Sequence, residues 1–395
     1  MSLLVTGQVA LALALLVVGG LAVLDVSRLG QVDPGFEAEG LISYNVTLPS
    51  VRYGDDEARL AFVDDYLARV GAIPGVESAT VASTLPLSGH WGWFFQAEGA
   101  EPRGEGEANP VVLNRVVSPD YFQTLGVEFA AGRPFNSFDG RDEGSRAIVV
   151  NETFVRTHLA HLENPVGALV VPGTDQPDDP DATWWTVIGV TRDVKHYGVD
   201  EEMRPGVYQP FAQSPGSGAQ VALKTQGDVG PVLSAVRALT TEVDAELPVY
   251  GVQTMVEELD ESLFTRRAIS WLIAVFSGVS LLMAVAGIYG VISYSVGQRR
   301  REIGIRMAMG ARKETVLKEV VGQGMRLVVA GAVFGLALSL AGAEVVSRTL
   351  VGVSATNPVV YVGVTGLVLL VAMMANYLPA RRAANIDPMK ALRSE

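Results

Sequence analysis

Apolar positions in this chain follow two patterns: four long, almost unbroken runs, and a middle region of short alternating segments. A helix rises 1.5 Å per residue, so about 30 Å of hydrocarbon takes about 20 apolar residues to cross. Residues 3–24 carry no charge. Arg267 and Arg299 bracket an uncharged run centred on WLIAVFSGVSLLMAVAGIYGVI. Arg326 and Glu344 bracket a shorter run, extendable backward through Gly322-Gln323-Gly324, and Arg348 and Arg381 bracket a fourth centred on 359–378. The pattern predicts transmembrane helices over 1–25, 267–298, 323–343 and 357–379. The first run lacks a basic flank and exceeds a signal-peptide core in length, which predicts a retained span.

Between the first and second spans the periodicity changes. Residues 41–48 (LISYNVTL) are rich in strand formers, and 55–70 space Leu60, Phe62, Val63, Tyr66, Leu67 and Val70 as one helix face. After Pro74-Gly75, residues 78–83 read as a strand, which completes a β-α-β unit. A second unit follows at 220–224, 229–243 and 249–252, and residues 110–212 between them read as short strands. The predicted architecture is an α-helical membrane protein with four transmembrane helices and a large α/β extracytoplasmic domain over 26–266. That domain has two lobes, a split β-α-β lobe (40–95 and 218–262) and an inserted mixed lobe (110–215).

Charge gives the orientation. Residues 25–267 hold 17 Lys+Arg against 37 Asp+Glu, whereas 268–395 hold 13 against 6. Basic residues concentrate on the cytoplasmic side of membrane proteins. The loop at 299–322 and its border carry Arg299, Arg300, Arg301, Arg306, Arg312, Lys313, Lys318 and Arg326. The tail at 380–395 adds Arg381, Arg382, Lys390 and Arg393. Both segments are predicted to be cytoplasmic, which leaves 344–356 as a short external loop and puts the acidic domain outside. That acidity also argues against nucleic acid as a partner, since phosphates demand the opposite sign.

The composition offers little for catalysis. Cysteine is absent, which excludes disulfides and Cys-ligated zinc. No Gly-x-x-x-x-Gly-Lys-Ser/Thr, Gly-x-Ser-x-Gly or His-Glu-x-x-His occurs, so no catalytic residue and no metal site is assigned. Of the histidines His90, His158, His161 and His196, the pair His158 and His161 is three apart on a predicted helix and reads as surface. The acidic turn at 173–181 (GTDQPDDPD) has its prolines misplaced for a Ca²⁺ loop and reads as solvated. The cluster Trp91, Trp93, Phe94 and Phe95 is a candidate apolar surface for a partner, with packing under a loop as the alternative.

Two cytoplasmic segments carry more. The first reads Arg299-Arg-Arg-Glu302-Ile-Gly-Ile-Arg306-Met-Ala-Met-Gly310-Ala311, and the second Leu378-Pro379-Ala-Arg381-Arg382-Ala-Ala-Asn-Ile386-Asp387-Pro388-Met-Lys-Ala-Leu392. Ile303 and Met307 are four apart, and Gly310 is a natural helix stop. On their residues alone, these arginines serve equally well as topology signals at lipid headgroups. Both segments strongly resemble the cytoplasmic signatures of MacB/FtsX-family ABC transporter permeases. The phrases VDPGFEAEGLISYNVTLP and IPGVESATVASTLPLSG are similar to that family's periplasmic core domain. The resemblance covers nearly the whole chain, particularly to the halves of duplicated permeases found in acidobacteria. Met307 stands where the family typically has Arg.

The resemblance implies a non-enzymatic permease in the inner (cytoplasmic) membrane, with its large domain facing the periplasm. It implies an ABC ATPase acting in trans, with ATP bound by that separate subunit and no cofactor in this chain. It also implies a second permease half or a homodimer, a periplasmic adaptor, and efflux or export of periplasmic substrates by mechanotransmission. Glu302, Ile303, Gly304, Ile305, Arg306, Gly310 and Ala311 would then couple to the ATPase. Pro379, Ala380, Arg381, Arg382, Asp387, Pro388 and Leu392 form the tail motif. Regulation of an extracytoplasmic enzyme or lipoprotein, and a motorless scaffold, are the competing readings.

Overall fold

The computed structural model describes residues 2–89, 91–100, 110–141, 146–173, 183–309, 311–347, 350 and 353–385. In chain order these form α1 (Ser2–Leu29), β1 (Leu41–Thr47), α2 (Asp56–Gly71), β2 (Val76–Ala82), β3 (Gly92–Ala97), β4 (Val111–Val117), α3 (Tyr121–Leu125) and β5 (Phe129–Gly132). There follow β6 (Ala147–Asn151), α4 (Glu152–His158), β7 (Leu169–Pro172), β8 (Trp185–Thr191), β9 (Gly206–Pro210), β10 (Gly218–Thr225), α5 (Val229–Val243) and β11 (Tyr250–Thr254). The chain ends in α6 (Met255–Gln298), α7 (Arg300–Ala308), α8 (Lys313–Ser347) and α9 (Pro358–Ala384). Two compact units result: residues 32–263, and residues 1–31 with 264–395.

In the first unit, β1 and β2 both pair antiparallel with β10, and β11 pairs antiparallel with β1. The order β11-β1-β10-β2 interlocks two split β-α-β units. The helices start where their caps dictate: Asp55 accepts a 2.7 Å bond from Ala58 N–H, and Asp228 one of 3.1 Å from Gly230 N–H. Strand residues Tyr44, Val46, Val81, Val221 and Leu223 face Val63, Tyr66 and Val70 of α2 and Val232 and Val236 of α5 in one core. The helices amount to the apolar faces that the sequence spacing requires.

Residues between β2 and β10 build the second part of this unit. A single register pair, Ala82↔Val117, joins β2 to β4. From β4 the pairing runs through β3, β7, β8, β6 and β9 and returns to β4, so six strands close into a ring. Closure leaves those strands no free edge. The boundary expected at residue 95 therefore shifts to before β3. Gly92–Phe94 pair with β4 and Phe95–Ala97 with β7, so this strand belongs to the inserted part.

Among its described residues the second unit holds four helices long and apolar enough to cross a membrane, and it makes the chain a membrane protein. Each helix outruns its apolar core. α8 begins at Lys313, ahead of the predicted span, and α7 occupies the segment expected as a loop. α9 continues through Pro379 to Ala384. A proline there removes one backbone bond and crowds the preceding turn. Burial of Pro379, Ala380, Ala383 and Ala384 on one face offsets that cost and carries the helix onward.

α1 is the hub of the bundle, burying Val5, Val9, Ala12, Leu13, Val17 and Leu21. Ser277 Oγ on α6 donates to the Leu15 carbonyl at 2.8 Å. On α8, Gly331 and Gly335 admit α1 closely: a Cβ at Gly331 would lie 2.8 Å from the Thr6 carbonyl oxygen and Val9 Cβ. One at Gly335 would lie 2.7 Å from the Ala10 carbonyl oxygen. Small residues four apart are a common means of close helix approach in lipid, where no hydrophobic force drives helices together.

Candidate functional site

The two cytoplasmic motifs come together around α7. This helix turns Ile303 and Gly304 inward, with Met307 half-buried one turn later. Ile303 packs with Val316 of α8 and Ala383 of α9, and Val296 of α6 and Val320 of α8 close the cluster. Residues of three other helices thus gather around this α7 side chain. At the end of α7, Ala311 N–H donates to the Arg306 carbonyl at 3.0 Å, a six-residue closure characteristic of helix C-termini. Gly310, Asp387, Pro388 and Leu392 lie outside the described residues, as do His90 and residues 174–181 of the acidic turn.

Polar contacts brace the same corner. Arg306 Nη2 lies 2.5 Å from Glu302 Oε1, and Arg306 Nη1 lies 3.3 Å from Glu319 Oε2 on α8. Arg382 of the tail motif donates from Nη1 to Tyr289 Oη of α6 at 2.6 Å, and Lys313 Nζ donates to Asn385 Oδ1 at 3.2 Å. The opposite side of α7 presents an apolar pair four apart: Ile305 is 43% and Met309 83% exposed. Arg301, Glu302 and Arg306 border them and are also exposed. An apolar pair ringed by charge on a braced helix is chemically suited to docking another protein.

The remaining candidates divide. In β3, alternation sends successive side chains to opposite faces. Phe95 is buried, and Trp93 is half-buried with its ring 5.1 Å from that of Trp185. Only Trp91 and Phe94, beside exposed Val111, stay on the surface. The four aromatics therefore do not form one patch. The histidine pair also separates: α4 ends at His158, whose ring sits 5.0 Å edge-on from Phe95, and His161 lies beyond the helix. His158 is half-buried, not a surface residue, because that ring contact covers it. Among the described residues no group of three or more His, Asp or Glu is placed to hold a metal ion.

Sequence reading missed Glu319, Tyr289 and Asn376. Glu319 had a signal, being one of three acids, with Glu302 and Glu314, in a predominantly basic segment. Asn376 lies fully buried on α9, its Nδ2 2.9 Å from the Ala372 carbonyl, and its Oδ1 would be 2.1 Å from a Cβ at Gly324. Pairing a buried amide with a glycine across two helices leaves no trace in hydropathy.

Comparison with known proteins gives the frame for this geometry. Residues 4–239 match the MacB-like periplasmic core domain, and residues 274–388 match the FtsX-like permease C-terminal domain. The macrolide export ATP-binding/permease protein MacB of Nitrosomonas europaea is 28% identical over 276 residues, 67% of this chain and 40% of that protein. The probable syringafactin export ATP-binding/permease protein SyfD of Pseudomonas syringae pv. syringae is 26% identical, covering 70% of this chain and 42% of that protein. The chain thus spans about two fifths of the length of the curated relatives it matches. Among solved structures, the periplasmic region of MacB from Actinobacillus actinomycetemcomitans aligns with a TM-score of 0.38 at 14% identity, over 58% of this chain and 95% of that one.

Proposed function

Because this chain belongs to the MacB-like family of ABC transporter permeases, with a MacB-like periplasmic core domain and an FtsX-like permease C-terminal domain, we propose that it passes ATP-driven motion from a separate ATPase to its extracytoplasmic domain. The membrane is the inner, cytoplasmic one. ATP is bound by the partner, and the permease works with a second permease half or a second copy of itself. The work done is export of periplasmic substrates, with a periplasmic adaptor completing the path.

The observation that carries this reading is the bracing of α7. A helix meant to receive a push must not yield locally. Ile303 is locked between α8 and α9, and the Glu302–Arg306–Glu319 chain ties the outer face to α8. Ile305 and Met309 are left as the apolar contact. The displacement of α7 would then pass to α6 and α8, which flank it in sequence. The absence of Asp, Glu, Lys and Arg from the apolar runs fits a protein with no polar route across the bilayer.

Photo-crosslinking in cells tests this directly. A crosslinking amino acid at Met309 should trap a cytoplasmic ATP-binding protein, identified by mass spectrometry through its Walker motifs. The same group at Val51, in the extracytoplasmic domain, should not. Capture of no ATP-binding protein from Met309 contradicts the proposal.

A further inference from the structure

Arg115, in the middle of β4, is 1% exposed and the largest fully buried side chain among the described residues. Arginine is almost never buried so completely without a paired charge, because removing a guanidinium from water costs several kcal/mol. Here no carboxylate lies within ion-pair distance among the described residues, and Nε and Nη2 have no hydrogen-bond partner among them.

Its surroundings are set by register. Arg115 stands opposite Tyr208 of the neighbouring parallel strand β9. One residue along each strand, Asn114 and Gln209 bond to each other at 2.6 Å, which alternation places on the other face. On the Arg115 face, Tyr208 Oη is 3.0 Å from His196 Nε2, and the Tyr121 ring is 5.9 Å from that of Tyr208. The Tyr121 hydroxyl and His196 Nδ1 are likewise buried without partners. Burial lowers the Arg115 guanidinium below its usual value. Burial, and then the charge of Arg115, hold His196 well below its own, so the imidazole is neutral. The charge of Asp193 reaches the Tyr208 hydroxyl, and that carboxylate is engaged by Thr153 Oγ1 at 2.7 Å.

Three side chains able to donate, one of them permanently cationic, therefore share a buried face on which Arg115 Nε and Nη2, Tyr121 Oη and His196 Nδ1 have no hydrogen-bond partner among the described residues. We propose that the Arg115–Tyr121–His196 cluster binds a small monovalent inorganic anion, of the chloride class, inside the extracytoplasmic domain. Arg115 supplies the charge, and the Tyr121 hydroxyl and a neutral His196 N–H complete the shell. The anion neutralises the buried cation and makes β4, α3 and β9 one electrostatic unit.

Thermal unfolding of the full chain in detergent tests this, with sodium chloride replaced by sodium gluconate at constant ionic strength. Gluconate is too large for a buried site. The midpoint should rise with the logarithm of chloride concentration once the site is filled, and bromide should substitute. Arg115→Met should abolish the dependence. If that variant does not fold, Tyr121→Phe should raise several-fold the chloride concentration at which the rise sets in. A wild-type midpoint indifferent to chloride would mean that water alone fills the cluster. A chloride response unchanged in Arg115→Met, or in Tyr121→Phe, would place the anion elsewhere. Each of these results overturns the proposal.

Discussion

Arg306 holds Glu302 from one turn further along α7, Nη2 to Oε1 at 2.5 Å. The Glu302 carboxylate is thus already engaged within the helix, and Arg306 turns its other nitrogen to Glu319. Both pairs are solvent-exposed, and such pairs contribute about 0–1 kcal/mol each. Glu302→Lys should therefore leave unfolding in detergent near wild type. Its effect should appear in ATP hydrolysis by the associated ATPase, which should fall by about 5-fold or more, the low end of intersite coupling energies. Equal losses of stability and hydrolysis would mark Glu302 as structural only.

The packing of α1 on α8 gives a second expectation. A side chain at Gly335 meets the Ala10 backbone, which cannot move aside. Gly335→Val should cost about 1–3 kcal/mol or more by overpacking, seen as a lower unfolding midpoint in detergent. Gly342→Ala, where a Cβ meets nothing within 4 Å, is the control and should be neutral. If both variants unfold alike, the close approach does not stabilise the bundle.

His196 makes the extracytoplasmic domain acid-sensitive in a definite direction. Burial, and then Arg115, lower its folded pKa well below the usual 6.5. The unfolded chain then binds the proton more readily, so stability falls as pH drops below about 6.5 and is unaffected by this group at higher pH. The unfolding midpoint should decline between about pH 6.5 and pH 5. His196→Gln, which keeps a polar contact for Tyr208 without titrating, should flatten that decline. An identical slope in the variant would refute the buried neutral imidazole.

Topology is open to labelling because the chain has no cysteine. In intact cells, Val51→Cys should react with an impermeant maleimide and Lys313→Cys should not. Val51 is 99% exposed, so failure there cannot be attributed to burial. The reverse pattern would invert the orientation.

The spans and both β-α-β units were legible in the sequence because one dominant force writes each. Apolar runs encode burial in lipid, and the spacing of Val63, Tyr66 and Val70 encodes a helix lying on a sheet. Ring closure in the inserted part was not legible, since it rests on pairings between strands far apart in sequence, such as Leu113 with Gly206. In the candidate site, Ile303 and Met307 follow from helical spacing. The Ile303–Ala383 contact and the Arg382–Tyr289 bond require the tertiary fold. Of the two readings of the aromatic cluster, packing holds for Phe95 and Trp93: neighbouring residues in a strand point to opposite faces, so Phe94 and Phe95 cannot share a surface.

If α7 receives the force of ATP hydrolysis through its exposed apolar pair, charging that pair should uncouple the ATPase. The direct measurement is ATP hydrolysis by the subunit recovered with the wild-type chain, reconstituted in lipid with wild type or with Ile305→Asp/Met309→Asp. Neither side chain is buried, so the variant should insert and fold. With the variant, hydrolysis should sit at the level of the ATPase alone, with the extracytoplasmic domain as protease-resistant as in wild type. Full stimulation by the folded variant, or recovery of no ATPase with the wild-type chain, would contradict coupling through this pair.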